Sequence, residues 1–339
     1  MPVTQDLLEE LQAEYMADDV EIEPEMCDWS EAEARVFFEH FLKPTSKEEL
    51  SKWLPSWDAA GITDGAGVVR LVCFHNAGSS ASLWTSTSKK NAEAASAYAR
   101  NPFLATPNLD VMALELPGRG MRSKDEKFTS MDALSDALCK VLSPILAQPV
   151  PYLLLGHSMG CWIAYETWRK LKATGCVKPP VALVVNSFLP PSVPEAEWPW
   201  PRSSGDIEKE LAGTLEEWKK GPPLWGTPAH LLEGDQKMLQ EWVRPLMTHD
   251  MLIFDTYKYH LPPEAPPEKL PCWVVATHGT HDPMITENMV RRWEDISPEG
   301  KFMFRTMPTG DHLFMSDEEL RGEWMKWLIM TMQVEMKCF

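Results

Sequence analysis

From residue 68 onward the chain alternates between short apolar runs and stretches with helical periodicity. Residues 68–74 (VVRLVCF) form the first apolar run. Others cover 109–116, which ends at Pro117-Gly118-Arg119-Gly120, then 152–155, 181–185, 272–277 and 301–307. Runs that stay apolar suit strands covered on both faces. Helical patterns lie between them. After Ser130 come Leu134, Leu138, Val141, Leu142 and Ile145 on one face. A helix over 159–171 follows the third run at once, and another passes through Val290 and Trp293. The last opens on a capping box, Ser316 with Glu319, and carries Leu320, Trp324, Trp327 and Leu328. This alternation predicts an α/β domain with a mainly parallel sheet and helices on both faces.

Two stretches break the rhythm. Before the first strand, Leu7, Leu8, Leu11 and Tyr15 mark a short amphipathic segment. Ser30 with Glu33 precedes Val36, Phe37, Phe38, Phe41 and Leu42, and Ser46 with Glu49 precedes Leu50, Trp53 and Leu54. Residues 61–67 (GITDGAG) make a plausible joint. The expected division is therefore a helical extension over 1–65 and a main domain over 66–332. The extension either packs on the main domain or docks a partner. The second departure is an insertion over 187–271, bracketed by prolines and carrying Trp198, Trp200, Trp218, Trp225 and Trp242, with helical patterns at 207–218 and 237–257. Insertions of this length in compact domains usually form lids or binding elements.

Composition narrows the class. Of 339 residues, 44% are hydrophobic and 24% charged, which is globular. No apolar run is long enough to span a bilayer, and the N-terminus has neither a basic n-region nor an apolar h-region. Net charge is −18, and residues 1–34 hold twelve acids and no Lys or Arg. Such acidity disfavours nucleic acids and anionic membranes as partners. Seven cysteines without a CxxC spacing read as reduced thiols of a cytoplasmic protein, several in core strands, and no metal site or cofactor is expected.

Candidate chemistry centres on Gly156-His157-Ser158-Met159-Gly160. A strand runs into it and a helix leaves it. The two glycines permit the tight turn that lifts Ser158 above the sheet, and the Met159 amide at the helix start can face a developing oxyanion. A serine hydroxyl needs a base. In folds built on this elbow the partners follow in the order acid, then His. His312, in Gly310-Asp311-His312-Leu313-Phe314 after the sixth run, is the expected base; His157, His278 and His281 are the less suitable alternatives. Asp282, after the fifth run, is the expected acid, with Asp250 of the insertion as rival and Asp311 too close in sequence to reach the ring. A second oxyanion donor is expected in the loop His75-Asn76-Ala77-Gly78-Ser79-Ser80, at the Ala77 amide. That loop could instead cradle phosphate, but no GK[ST] follows.

Together these segments resemble the type II thioesterases of polyketide and nonribosomal peptide synthetases and the medium-chain thioesterase of fatty acid synthase, within the α/β-hydrolase superfamily. The resemblance covers residues 69–327. It rests on Cys73-Phe74-His75-Asn76-Ala77-Gly78-Ser79-Ser80 against the family's C-F-P-H-A-G-G-S, on Leu116-Pro117-Gly118-Arg119-Gly120, on the intact elbow followed by Ala164, Tyr165 and Glu166, and on Gly226-Thr227-Pro228. Asp250 with Tyr257 and Tyr259, Gly279 with Asp282, and Gly310 with His312 and Phe314 complete it. His75, Asn76 and Ser79 depart from the family's loop, and residues 1–60 have no counterpart in its usual members.

The resemblance implies an α/β-hydrolase fold with a helical lid. It also implies hydrolysis, through a Ser158–His312–Asp282 triad and an acyl-enzyme, of acyl or peptidyl thioesters carried on the phosphopantetheine of an acyl or peptidyl carrier protein, or on CoA. The role would be editing or release in polyketide, nonribosomal peptide or fatty acid synthesis. A carboxylesterase, an acyltransferase and a non-catalytic synthase-binding protein are the alternatives. Carrier docking would call on Arg119, Arg122 and Lys124 as a local basic patch.

Overall fold

The structure, a computed structural model, describes residues 3–14, 22, 26–27, 29–31, 34–35, 38, 45–57, 67–86, 100–175, 177–199, 244–255, 257–262 and 265–338. Most of the 61–67 joint, Cys176, Trp200, the 207–218 pattern, Trp218, Trp225, Gly226-Thr227-Pro228 and Trp242 lie outside these residues.

In chain order the elements are α1 (Gln5–Glu14), α2 (Lys47–Trp53), β1 (Val69–Phe74), α3 (Ser82–Thr85), α4 (Pro102–Ala105), β2 (Leu109–Ala113), α5 (Met131–Leu146), β3 (Tyr152–His157), α6 (Met159–Ala173), β4 (Ala182–Asn186), α7 (Arg244–Asp255), β5 (Trp273–Gly279), α8 (Glu287–Arg291), β6 (Phe302–Met307) and α9 (Glu318–Val334). The six strands form one sheet in the order β2-β1-β3-β4-β5-β6, and every pairing is parallel. The expected α/β architecture is present. β2 stops three residues early: Leu114 donates one more bond to the Cys73 carbonyl, and the chain then turns away. β5 runs two residues longer, because His278 and Gly279 pair with Thr306 and Met307.

Alternation along the strands sends side chains into two cores. Leu154 faces α5 and α6 with Val72, Phe74, Val185 and Val274, whereas Leu153 and Leu155 face α9 with Leu71, Cys73 and Trp324. Both faces are dry, which is why the strands carry no regular polar alternation. Of the described cysteines only Cys73 lies in a strand. Cys139 and Cys161 are helical, Cys272 precedes β5, and the described cysteines are free thiols.

Local signals set the helix starts. Ser130 accepts from the Ala133 amide and Ser46 from the Glu49 amide. At α9 the cap is Asp317, whose carboxylate accepts from Glu319 and Leu320. Ser316 instead closes a 3₁₀ turn from Phe314, so the N-cap lies one residue later than expected and the capping box does not form.

In the N-terminal region, Val3, Leu8, Leu11, Met26, Ala34 and Phe38 form a small cluster of their own. Trp53 and Leu54 instead belong to the main core. The Trp53 carbonyl accepts from the Glu115 amide, and Trp57 donates to the buried Asp110 carboxylate at 2.8 Å. In the insertion, Trp198 lies 5.1 Å and Tyr257 5.0 Å, ring to ring, from Trp162 of α6. At the β6 side, Arg291 stacks 3.8 Å over Phe304, and Arg305 lies 4.9 Å over Trp327. Among the described residues no helix is long and apolar enough to cross a membrane.

Candidate active site

The chain leaves β1 toward β2 on one side and later places β3 on the other. The loops after β1 and β3 therefore diverge at the carboxyl ends of the strands, the place where open α/β sheets carry their sites. Ser158 sits there, between β3 and α6, with φ 53° and ψ −125°. A side chain with positive φ costs roughly 1–2 kcal/mol. The turn is held by the Ser158 amide donating to the Asn186 carbonyl and by the Cys161 amide donating to the Ser158 carbonyl, both at 2.9 Å. Glycine is required on both sides. A Cβ on Gly156 would lie 2.4 Å from the Cys161 nitrogen, and one on Gly160 would lie 2.4 Å from the Phe74 carbonyl oxygen. The packing of α6 against β1 depends on the missing side chain of Gly160, and its close approach to the end of β3 on that of Gly156.

The sequence-predicted Ser158, His312 and Asp282 come together. Ser158 Oγ lies 2.8 Å from His312 Nε2, and His312 Nδ1 lies 2.8 Å from Asp282 Oδ2. The other carboxylate oxygen accepts from the Met284 and Ile285 amides at 3.0 and 2.9 Å. A carboxylate facing Nδ1 keeps the proton on that nitrogen, so Nε2 offers its lone pair to the Ser158 hydroxyl. Burial alone would raise the Asp282 carboxyl. The hydrogen bond and charge of His312, with the two amides, outweigh it and hold the group below the ordinary carboxylate range. The acid and histidine loops are stitched together: the His281 amide donates to the Gly310 carbonyl and the Thr309 amide to Thr280 Oγ1. Gly279 lets them touch, because a Cβ there would be 2.4 Å from the Gly310 oxygen.

The other histidines have different places. His157 is fully buried, edge-on to Phe314 and 6.1 Å from the His312 ring. Burial, reinforced by His312, lowers its pKa to about 3, so it stays neutral. His278 lies inside β5 rather than after it, and its Nε2 donates to the Ile285 carbonyl, bracing the acid loop. His281 is exposed. Asp311 accepts from the Leu313 amide, closing the turn beside His312.

Asp250 does not join His312. Its Oδ1 accepts from Arg119 at 2.6 Å, and its Oδ2 accepts from the Gly78 amide at 2.8 Å. This corrects the expected basic patch. Arg119 is buried in that pair. Arg122 is also buried, bonded to Asp125 and the Glu115 carbonyl and stacked 3.9 Å over Trp53; of the three, Lys124 alone is exposed. Glu166 of α6 is buried and accepts from Tyr257 and Arg169. No signal in the sequence pairs Asp250 with Arg119, 131 residues away.

In the loop after β1, Gly78 has φ 73°, Asn76 donates to the Ala77 carbonyl, and Ala77 packs on the core. The Ala77 amide donates to none of the described residues, and the Met159 amide, first in α6, has no acceptor within its helix. A hydroxyl, an imidazole and a carboxylate in series can activate a nucleophile, and an unengaged amide next to the nucleophile, as Met159 offers, can hold an oxyanion. Among the described residues no group of three or more His, Cys, Asp or Glu could hold a metal ion.

Comparison with known proteins bears on the fold and the family. A probable cadicidin biosynthesis thioesterase of Streptomyces griseus is 29% identical over 272 residues, covering 80% of this chain and 64% of that protein, so the chain spans less than two thirds of that relative's length. The medium-chain S-acyl fatty acid synthase thioesterase of Homo sapiens is 27% identical over 212 residues, 62% of this chain and 72% of that one. The structure of the type II thioesterase BorB from the borrelidin biosynthetic cluster superposes with a TM-score of 0.57 at 26% identity, over 79% of this chain and 94% of that one. Residues 71–321 match the Alpha/beta hydrolase family, and the chain belongs to it.

Proposed function

We propose that this protein is a serine thioesterase that hydrolyses acyl or peptidyl thioesters held on the phosphopantetheine arm of a carrier protein, or on CoA. The observation that carries the reading is the unbroken series Ser158–His312–Asp282, with both contacts at 2.8 Å, at the carboxyl ends of the strands. The thioesterase names of the relatives support the choice of sulfur over oxygen esters.

In this reading Ser158 Oγ attacks the thioester carbonyl carbon while His312 Nε2 takes its proton. The Ala77 and Met159 amides stabilise the oxyanion, where a lost donor typically costs ~3–4 kcal/mol. The tetrahedral adduct collapses, the C–S bond breaks, and His312 returns the proton to the leaving sulfur. Water, deprotonated by His312, then attacks the acyl-Ser158 ester, releasing the acid and restoring the hydroxyl. Asp282 holds the imidazole tautomer throughout and takes no proton. Residues 66–332 would constitute the catalytic domain, and 1–65 an extension to it.

The test is turnover of an acyl-CoA series and a matched acyl-carrier series by wild type and Ser158→Ala. Serine-dependent hydrolysis that favours the carrier is expected. A stable acyl-Ser158 adduct with no released acid would move the reading to acyl transfer, and faster cleavage of oxygen esters would make the protein a carboxylesterase.

A further inference from the structure

Helix α7 of the insertion sends one buried carboxylate, that of Asp250, against the loop that carries Ala77. Asp250 and Arg119 have side chains 3% and 5% exposed, and both are bonded to that loop. Arg119 Nη1 donates to the Ser79 carbonyl at 2.9 Å and faces His75 Nε2 at 3.1 Å. Its Nη2 donates to Asp250 and, at 3.3 Å, to the Pro117 carbonyl. His75 Nδ1 lies 2.8 Å from the Asn76 carbonyl and so carries the proton, which leaves Nε2 as the acceptor for Arg119. Burial, with the Arg119 charge, keeps His75 neutral.

The loop is therefore gripped on both sides of Ala77. Upstream, Arg119 holds His75. Downstream, it holds Ser79 directly and Gly78 through Asp250. The peptide plane between Ala77 and Gly78 is fixed at both ends, its carbonyl by Asn76 and its amide by Asp250. The Ala77 amide is one residue's dihedrals away from that plane. A buried ion pair adds little net stability compared with an apolar pair of the same volume, so stability alone does not account for this one.

We propose that Arg119 and Asp250 are positioning residues that aim the Ala77 amide, so that helix α7 sets the geometry of the oxyanion site. This rests on the thioesterase reading above, in which Ala77 is an oxyanion donor.

The test is Asp250→Asn. Both groups facing Asp250 are donors, whereas an amide offers one acceptor and one donor group, so one of the two contacts must break. Three readouts apply: steady-state hydrolysis of an acyl-CoA; affinity for a trifluoromethyl ketone analogue, which forms an oxyanion-bearing adduct, against the matching inert thioether; and amide hydrogen exchange over 75–80 against 152–157. The expected result is kcat lower by roughly 10–100-fold, less than or equal to the loss of a whole donor, with KM essentially unchanged. Ketone affinity should fall in parallel, thioether affinity should hold, and exchange should quicken over 75–80 but not in β3. Arg119→Lys, which keeps the charge and loses the fork, should move the same way by less.

Native kcat and native exchange in Asp250→Asn overturn the proposal, as does an equal loss of affinity for both analogues. Should Asp250→Asn fail to fold, the apolar pair Asp250→Leu with Arg119→Met replaces it and must show the same slow kcat and loose loop; a native rate there overturns the proposal. Thioester turnover that survives Ser158→Ala overturns the function reading and the oxyanion role with it. Turnover abolished by Ser158→Ala but kept in full by Asp250→Asn overturns the positioning role alone.

Discussion

Exchanging Asp282 for Asn changes almost no volume, yet the structure fixes what the new amide must do. Two backbone amides, from Met284 and Ile285, point at Oδ1. They are donors and hold the carboxamide oxygen, so its NH₂ takes the place of Oδ2, 2.8 Å from His312 Nδ1. A donor facing Nδ1 forces the ring proton onto Nε2. Ser158 Oγ, 2.8 Å away, then meets an N–H instead of a lone pair and loses its base. Reversal of the tautomer in a serine triad lowers kcat about 10⁴-fold, equivalent to about 5.5 kcal/mol in the barrier. The assay is thiol release from an acyl-CoA, followed by a colorimetric thiol reagent, with thermal unfolding measured in parallel. A carboxyl held below its ordinary range stabilises the fold above its unfolded value, near 3.9, and that contribution disappears as pH falls through the folded value. The stability gap between wild type and Asp282→Asn should therefore narrow below about pH 4. Turnover by Asp282→Asn within about tenfold of wild type would refute the tautomer argument, given a loss of this size in such triads.

Three further outcomes rest on other contacts. Gly160→Ala drives a methyl toward the Phe74 carbonyl oxygen, which is backbone and cannot swing aside; urea unfolding should show a loss of about 1–3 kcal/mol together with lower activity. His157 is neutral in the fold down to about pH 3, whereas an unfolded histidine takes up a proton near 6.5, so wild type loses stability as pH falls between those values. His157→Phe should remove about one proton from the pH slope of the unfolding free energy across that window. Trp57→Phe deletes the indole donor to Asp110, a carboxylate already raised by burial, and should cost about 1–2 kcal/mol by denaturant titration without changing KM.

The reactive series was legible because its parts obey local rules. The elbow demands glycine at two positions for reasons of contact distance, and the order of the chain through a parallel sheet leaves few loops from which an acid and a histidine can reach Ser158. Strand ends were less legible. Leu114 and Leu116 are apolar and buried like their neighbours, yet hydropathy does not reveal that the ladder stops at Ala113. His278 and Gly279 look like a loop and are paired with β6. The basic patch was misread because charge in a sequence carries no sign of burial. Arg119 finds its counterion on an insertion helix whose distance in sequence no periodicity can bridge.

The sheet has two edges, and they are guarded differently. At the β2 edge, Trp57 of the N-terminal region bonds to the Asp110 side chain. β6 pairs on one side only among the described residues, and its residues Phe302, Met303 and Phe304 are half-buried. An open row of amides and carbonyls beside aromatic side chains is a template for another extended chain, and hence for aggregation. Arg291 lies flat on Phe304, and Arg305 covers Trp327 while bonded to Glu323. An incoming strand would have to strip hydrated charge from these rings before it could register. The two arginines that cover the aromatic rings beside this edge strand thus take no part in the chemistry of Ser158.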